Sequence, residues 1–358
     1  MELLTLVAVL VLALGNGAND NFKGFATVWG AQILDYRRAL AWATLATVAG
    51  SLASWGLAAA LAQSFTGKGL VPDAVVGDPR LMTAVASGAA MTVLMATRLG
   101  LPVSTTHALI GALVGANLAQ NSAVHLDRLV VMFLLPLLLS PLLAALLSAV
   151  AYRVLRPLTG ARDCLCVVPL EPATSAPGDR AAVVRLAVPA VIVAGAADCE
   201  RLDAPVRWSV SRSMDRLHVL SAMSICFARG VNDTPKLTAL LLAAQLVDAP
   251  LSILMIAAVM AAGGWLFARR VAQTMSQRVS RMDPTQGMSA NLITAALVLC
   301  ASPLGLPVST THVSVGAIAG VGANAGTLDW KALGNILLSW VATLPLAMAV
   351  AWMIGRLL

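Results

Sequence analysis

Apolar runs and short polar breaks alternate along almost the whole chain. The runs fall near 2–30, 39–62, 81–97, 104–120 and 129–152, and again near 217–245, 251–268, 288–301, 309–325 and 332–355. A helix needs about 20 apolar residues to cross the hydrocarbon core. These runs do not alternate residue by residue, which excludes the pattern of a membrane β-barrel. The pattern therefore predicts an all-α integral membrane protein in three parts: five hydrophobic segments over 1–152, a polar linker over 153–216, and five more segments over 217–358. The linker carries Pro157, Pro169, Pro172 and Pro177, then an apolar run near 186–195 that contains Pro189 and follows Arg185. That run is too short to span. A small β-rich insert and a disordered segment with one amphipathic stretch both fit it.

The two halves share their punctuation. Segments 81–97 and 104–120 are joined through Gly100-Leu101-Pro102, and segments 288–301 and 309–325 through Gly305-Leu306-Pro307. Gly and Pro break a helix there, giving either a re-entrant hairpin or two full spans. In both cases the pair returns to its starting side, so each half crosses an odd number of times. The second half then runs inverted relative to the first. Loop charge tests the orientation. With the linker in the cytoplasm, 16 of the 24 basic residues lie inside and 4 outside, the other four (Lys23, Arg98, Arg229 and Lys236) lying in or beside motifs. The positive-inside rule thus places both termini outside and the linker inside.

Composition agrees. The chain is 59% hydrophobic and 11% charged, with mean hydropathy +0.83, where soluble domains sit near a quarter charged. Its net charge of +7 is explained by the inner loops, so no nucleic-acid partner is implied. The N-terminal run starts behind acidic Glu2 and leads straight into a polar motif, unlike a signal peptide. Of five cysteines, Cys226 and Cys300 lie in apolar runs, where a buried thiol is the ordinary reading. Cys164, Cys166 and Cys199 lie in the linker and make only a weak metal signal.

The polar motifs inside the oil carry the chemistry. Residues 17–24 read Gly-Ala-Asn-Asp-Asn-Phe-Lys-Gly and residues 230–237 read Gly-Val-Asn-Asp-Thr-Pro-Lys-Leu. Residues 100–107 and 305–312 both read Gly-Leu-Pro-Val-Ser-Thr-Thr-His. Polar groups inside a bilayer are costly, and a duplicated set is most simply one site built from two halves. Asp20 and Asp233 are the only acids within apolar runs; each follows Asn19 or Asn232 and stands one helical turn before Lys23 or Lys236. We expect the helix to unwind at the motif glycine and expose backbone and carboxylate to an ion; a pair of structural Asp–Lys bridges is the plainer alternative. Ser104, Thr105 and Thr106, like Ser309, Thr310 and Thr311, open a helix after the break. Hydroxyls and free amides at a helix N-terminus form an anion cradle, although one serine suffices for capping. Arg229 stands where the first half has Asn16, as a candidate anion contact or as an ion-pair partner of Asp233 or Asp20. His107 and His312 are candidates for a proton relay or for a structural hydrogen bond. Arg98 is placed to reach the interface.

With these residues in view, the chain resembles the inorganic phosphate transporter (PiT) family, whose duplicated Gly-Ala-Asn-Asp and Ser-Thr-Thr-His motifs match here in order over nearly the whole chain outside the linker. The resemblance implies secondary transport of inorganic phosphate across the plasma (inner) membrane, driven by a cation gradient through inverted repeats, usually as a dimer, with no cofactor. By the resemblance, Asn19, Asp20, Asn232 and Asp233 serve the ion and phosphate site, with Asn16 beside them, and the Ser-Thr-Thr sets hold phosphate. Sodium-coupled members carry a second Asn three residues after each Asp. This chain has Lys23 and Lys236 there, which puts the sodium sites in doubt and places the proton slightly ahead. Sulfate or another tetrahedral oxyanion stays an open alternative. An intramembrane serine enzyme built on Ser104 or Ser309 is disfavoured by the duplication and by the missing oxyanion-hole motif. A passive anion channel gains little from buried Asp–Lys pairs.

Overall fold

The computed structural model describes residues 1–67, 69–72, 75–156, 164–169, 189–194, 201, 206–278 and 282–358. Cys199 and the linker residues Pro157, Pro172, Pro177 and Arg185 lie outside them. The chain divides into two compact units: 1–152 with 218–358, and 153–217.

The smaller unit holds a three-stranded antiparallel sheet in the order β2-β1-β3, with β1 Cys164–Pro169, β2 Pro189–Ala194 and β3 Val206–Ser209. Cys164 stands opposite Ala194 and Ser209. The apolar run of the linker becomes β2, and Pro189 occupies its first position, where a missing N–H is tolerated. Cys166 is disulfide-bonded, so it offers no thiolate to a metal.

Among the described residues, ten helices are fifteen residues or longer: α1 Glu2–Asp20, α2 Tyr36–Leu57, α3 Pro79–Arg98, α4 Thr105–Ala119, α5 Leu135–Leu155, α6 Val210–Ala243, α7 Ala249–Phe267, α8 Pro284–Ala301, α9 Thr310–Ala325 and α10 Trp330–Leu357. Among the described residues, six helical stretches are long and apolar enough to cross a membrane. Leu138, Leu139, Leu142 and Leu146 of α5 are exposed on its flank, as a lipid-facing surface requires. The two Gly-Leu-Pro breaks form tight turns in which Gly100 and Gly305 adopt φ of +73° and +68°, a region closed to most L-residues.

Glycines set the packing, and they do so in matched pairs. A Cβ on Gly17 would overlap the Met260 carbonyl, and one on Gly263 the Leu14 carbonyl, so α1 and α7 touch backbone to backbone. Gly230 meets Thr47 and Gly50 meets Phe227 in the same way between α6 and α2. A second set joins α4 to α10 through Gly111 and Gly115, and α9 to α5 through Gly316 and Gly320. In a bilayer, where no hydrophobic drive brings helices together, such close approach is the main source of packing energy. Each half therefore contributes helices that pack against the other.

One expectation fails. Neither motif glycine unwinds its helix: α1 continues through Gly17 to Asp20, and α6 runs unbroken through Gly230 to Ala243. The reason is the packing just described, which spends both glycines on helix contact. The break in the first half comes later, at Asn21 and Phe22, before a 3-10 turn over Lys23–Phe25. In the second half Pro235 stays inside the helix.

Candidate functional site

The end of α1, the middle of α6 and the N-termini of α4 and α9 meet in the interior. Asn19 Nδ2 donates to Thr97 Oγ1 at 3.0 Å and to the Leu101 carbonyl at 3.0 Å, fastening the break between α3 and α4. The second half repeats this: Ser302 Oγ donates to Asn232 Oδ1 at 3.3 Å, and Asn232 Nδ2 donates to the Val308 carbonyl at 3.3 Å. Each motif asparagine thus positions its own half's helix break.

The lysines cross between halves. Lys23 Nζ donates to the Asn19 side-chain oxygen at 3.0 Å, to the Val103 carbonyl at 3.1 Å, to Asp20, and to Thr311 of the second half. Lys236 Nζ lies 3.3 Å from Asp233 Oδ1 and donates to the Val308 carbonyl at 2.9 Å and to Thr106 of the first half at 2.9 Å. Each ammonium therefore fills a cage made only of oxygens: a carboxylate, a backbone carbonyl and a threonine hydroxyl from the opposite half. Those are the ligand types of a hard cation.

Ser104 and Ser309 cap their helices, accepting from the backbone N–H of His107 at 3.1 Å and of His312 at 3.3 Å. Thr105 accepts from Asn16 Nδ2 at 2.9 Å. Thr310, its counterpart, is buried and among the described residues is the one motif threonine whose hydroxyl has no hydrogen-bonding partner. The difference traces to Arg229. Asn16 Nδ2 also reaches Asp20 at 3.4 Å and Asp233 at 3.3 Å. Arg229 does not turn toward Thr310; its Nη2 donates to Asn16 Oδ1 at 2.6 Å, its Nη1 to Asn21 Oδ1 at 3.2 Å, and its Nε stands 3.5 Å from Asp233. The side chain thus takes the ion-pair role with Asp233.

Five charged side chains are consequently buried together. Asp20, Lys23, Arg229, Asp233 and Lys236 are each at most 3% exposed, and among the described residues no other Asp, Glu, Lys or Arg is buried. Three cations face two carboxylates. An uncompensated positive charge away from water is costly, and an anion brought to it lowers that cost.

The histidines face each other. His107 and His312 stack edge to face at 4.5 Å, and His312 packs on Trp340 at 3.8 Å. Both line a cavity of about 740 Å³ walled by apolar residues of α5, α9 and α10, and each directly follows the threonine that a buried lysine contacts. Three contributors lie outside the motifs, Thr97, Ser302 and Thr47, and a fourth, Asn21, lies inside the first motif without having been singled out. Thr97 and Ser302 stand seven residues before Ser104 and Ser309, so extending the repeat backwards past the break finds them. Asn21 and Thr47 gain their roles only through Arg229.

The sequence model of the phosphate transporter family matches residues 16–351. The chain belongs to the phosphate transporter family. Among its relatives, a Mycobacterium tuberculosis protein named "Probable low-affinity inorganic phosphate transporter" is 27% identical over 369 residues, covering 97% of this chain and 76% of its own length. The sodium-dependent phosphate transporter 1-B of Danio rerio is 34% identical over 161 residues, 41% of this chain and 24% of that one. A solved structure titled "The sodium-dependent phosphate transporter" superposes with a TM-score of 0.79 at 21% identity, over 99% of this chain and 98% of that one; the likeness shows a shared fold. The chain is accordingly a multi-pass membrane transporter and not an enzyme.

Proposed function

We propose that this chain carries inorganic phosphate across the plasma membrane by cation symport, with the proton ahead of sodium. The observation that carries the reading is the buried cluster of three cations and two carboxylates at two helix N-termini, an arrangement that gains from an added anion. Thr105, Thr106, Thr310 and Thr311, with the N-termini of α4 and α9, would receive the phosphate oxygens; Thr310 is the free hydroxyl. Asp20 and Asp233 would accept the phosphate's own O–H groups. Sulfate at neutral pH has none to give, and an acceptor facing an acceptor is penalised. The oxygen cages held by Lys23 and Lys236 support sodium independence, which leaves the proton as coupling ion. Transport then proceeds by alternating access, one inverted repeat moving against the other, with termini outside and linker inside. Release would require the crossed bonds Lys23–Thr311 and Lys236–Thr106 to open in turn.

The test is uptake of radiolabelled phosphate into proteoliposomes under an imposed pH gradient, with and without sodium, and with sulfate as competitor. Uptake is expected to follow the pH gradient, ignore sodium and resist sulfate, and Asp20→Asn and Asp233→Asn are each expected to abolish it. Normal uptake by both variants would overturn the site; carriage of sulfate instead would keep the fold and replace the substrate.

A further inference from the structure

A second cavity, of about 730 Å³, lies outside the charged cluster and is lined by Thr97, Arg98, Arg269, Arg270 and Gln273 together with Leu14, Leu94, Leu266 and Phe267. Three guanidinium groups and no carboxylate line it. The three arginines are exposed. Two of them are held in place: Arg270 Nη1 donates to the Arg98 carbonyl at 2.7 Å, and Arg269 lies 5.8 Å from the Tyr36 ring centre. Its floor touches the candidate site, because Thr97 is the residue whose hydroxyl accepts from Asn19.

The repeat supplies an internal control. Counting as for Thr97 and Ser302, the place of Arg98 is taken by Pro303 in the second half. Counting as for Gly17 and Gly230, the places of Arg269 and Arg270 are taken by Gly56 and Leu57 in the first. The two other cavities near those counterparts carry no Lys, Arg, Asp or Glu in their linings. Among the described residues and the cavities they line, the cationic vestibule therefore has no counterpart at the other end. That end is the one where α5 finishes and α6 begins: Tyr152 near the end of α5 accepts from Gln286, which follows the Arg269–Arg278 stretch, and Gly100 packs on Arg270 and Thr274.

We infer that this vestibule is an anion-capture site for phosphate on the linker face, an antechamber that concentrates the anion above Thr97 and makes the two faces of the transporter kinetically unequal. The inference rests on the phosphate reading above. A cleft lined by one sign of charge between low-dielectric walls focuses its field and raises the local concentration of the opposite ion. The advantage fades as salt screens it, over a Debye length of about 8 Å at physiological ionic strength. Exposed arginines on a cytoplasmic face also satisfy the positive-inside rule, so the experiment must separate capture from topology.

The measurement is phosphate flux in each direction across proteoliposomes of fixed orientation, for wild type, for the triple variant Arg98→Gln/Arg269→Gln/Arg270→Gln, and for the matching triple lysine variant. The glutamine variant is expected to raise KM for phosphate about tenfold at the linker face, with KM at the other face and the maximum rate unchanged. The lysine variant should restore most of the loss, and the wild-type KM at the linker face alone should rise with salt. An equal change at both faces, no change, or no recovery with lysine overturns the vestibule. A wild type that moves no phosphate in either direction overturns the functional reading instead. Trypsin cleavage of the linker in each preparation reports whether the glutamine variant has inverted; a face-specific KM change that tracks inversion alone also overturns it.

Discussion

At the scale of single residues, the site is decided by which oxygens hold which cation. Lys23 has four oxygen partners and Lys236 three, and each bridges its own aspartate to the other half's threonine. Removing one member of a buried pair leaves the other charge uncompensated, at roughly 3–5 kcal/mol. Lys23→Asn should therefore melt well below wild type in sodium-free detergent solution. It also empties a cage of hard-cation ligands beside Asp20. Sodium that binds the folded form alone stabilises it by mass action, so sodium chloride, but not choline chloride, should recover part of the lost melting temperature in this variant and leave wild type unmoved. A variant indifferent to sodium would mean that the ammonium is a structural partner of Asp20 and no substitute for an ion.

At the scale of helices, the same residues explain what the sequence made legible. Each of the ten apolar runs holds one long helix, because length and hydropathy decide that in a bilayer, although the run over 2–30 breaks after Asp20 and the run over 39–62 at Ala58. The Ser-Thr-Thr turns sat at helix starts as their Gly-Leu-Pro breaks required. The role of Gly17 and Gly230 was not legible: a glycine beside Asn-Asp reads equally as a hinge or as a contact, and only the partner backbone decides. Arg229 was ambiguous for the same reason, since its ligands Asn16, Asn21 and Thr47 come from elements distant in sequence. The contact reading makes its own prediction. Gly115→Ala would drive a methyl group into the Met348 carbonyl and force α4 off α10, whereas Gly334 of α10 faces open space. Gly334→Ala should be neutral or raise stability by up to about 1 kcal/mol, the ordinary helix preference of alanine. Fluorescence-detected size-exclusion melting of the two variants should separate them widely; similar melting would mean the α4–α10 contact is loose.

At the scale of the whole molecule, the open matter is which way the chain faces. On the topology proposed above, loop charge and the arginine vestibule point the same way: 16 of the 24 basic residues would share the linker's side and 4 would lie opposite. The disulfide at Cys166 points the other way, since reducing cytosol rarely preserves one. Charge should prevail, because K/R bias acts on every loop during insertion whereas one disulfide forms after folding and responds to the oxidant around it. The linker carries nine arginines, so trypsin distinguishes the two orientations directly. Inverted membrane vesicles, with the cytoplasmic face outward, should be cut within 153–216 to give two membrane-embedded fragments, and right-side-out vesicles should resist. Under thiol-free conditions the Cys166 bond should be reduced in protein taken directly from cells and oxidised only after purification. Cleavage confined to right-side-out vesicles would reverse the topology, put the vestibule on the outer face, and turn it from a cytoplasmic antechamber into the port of uptake.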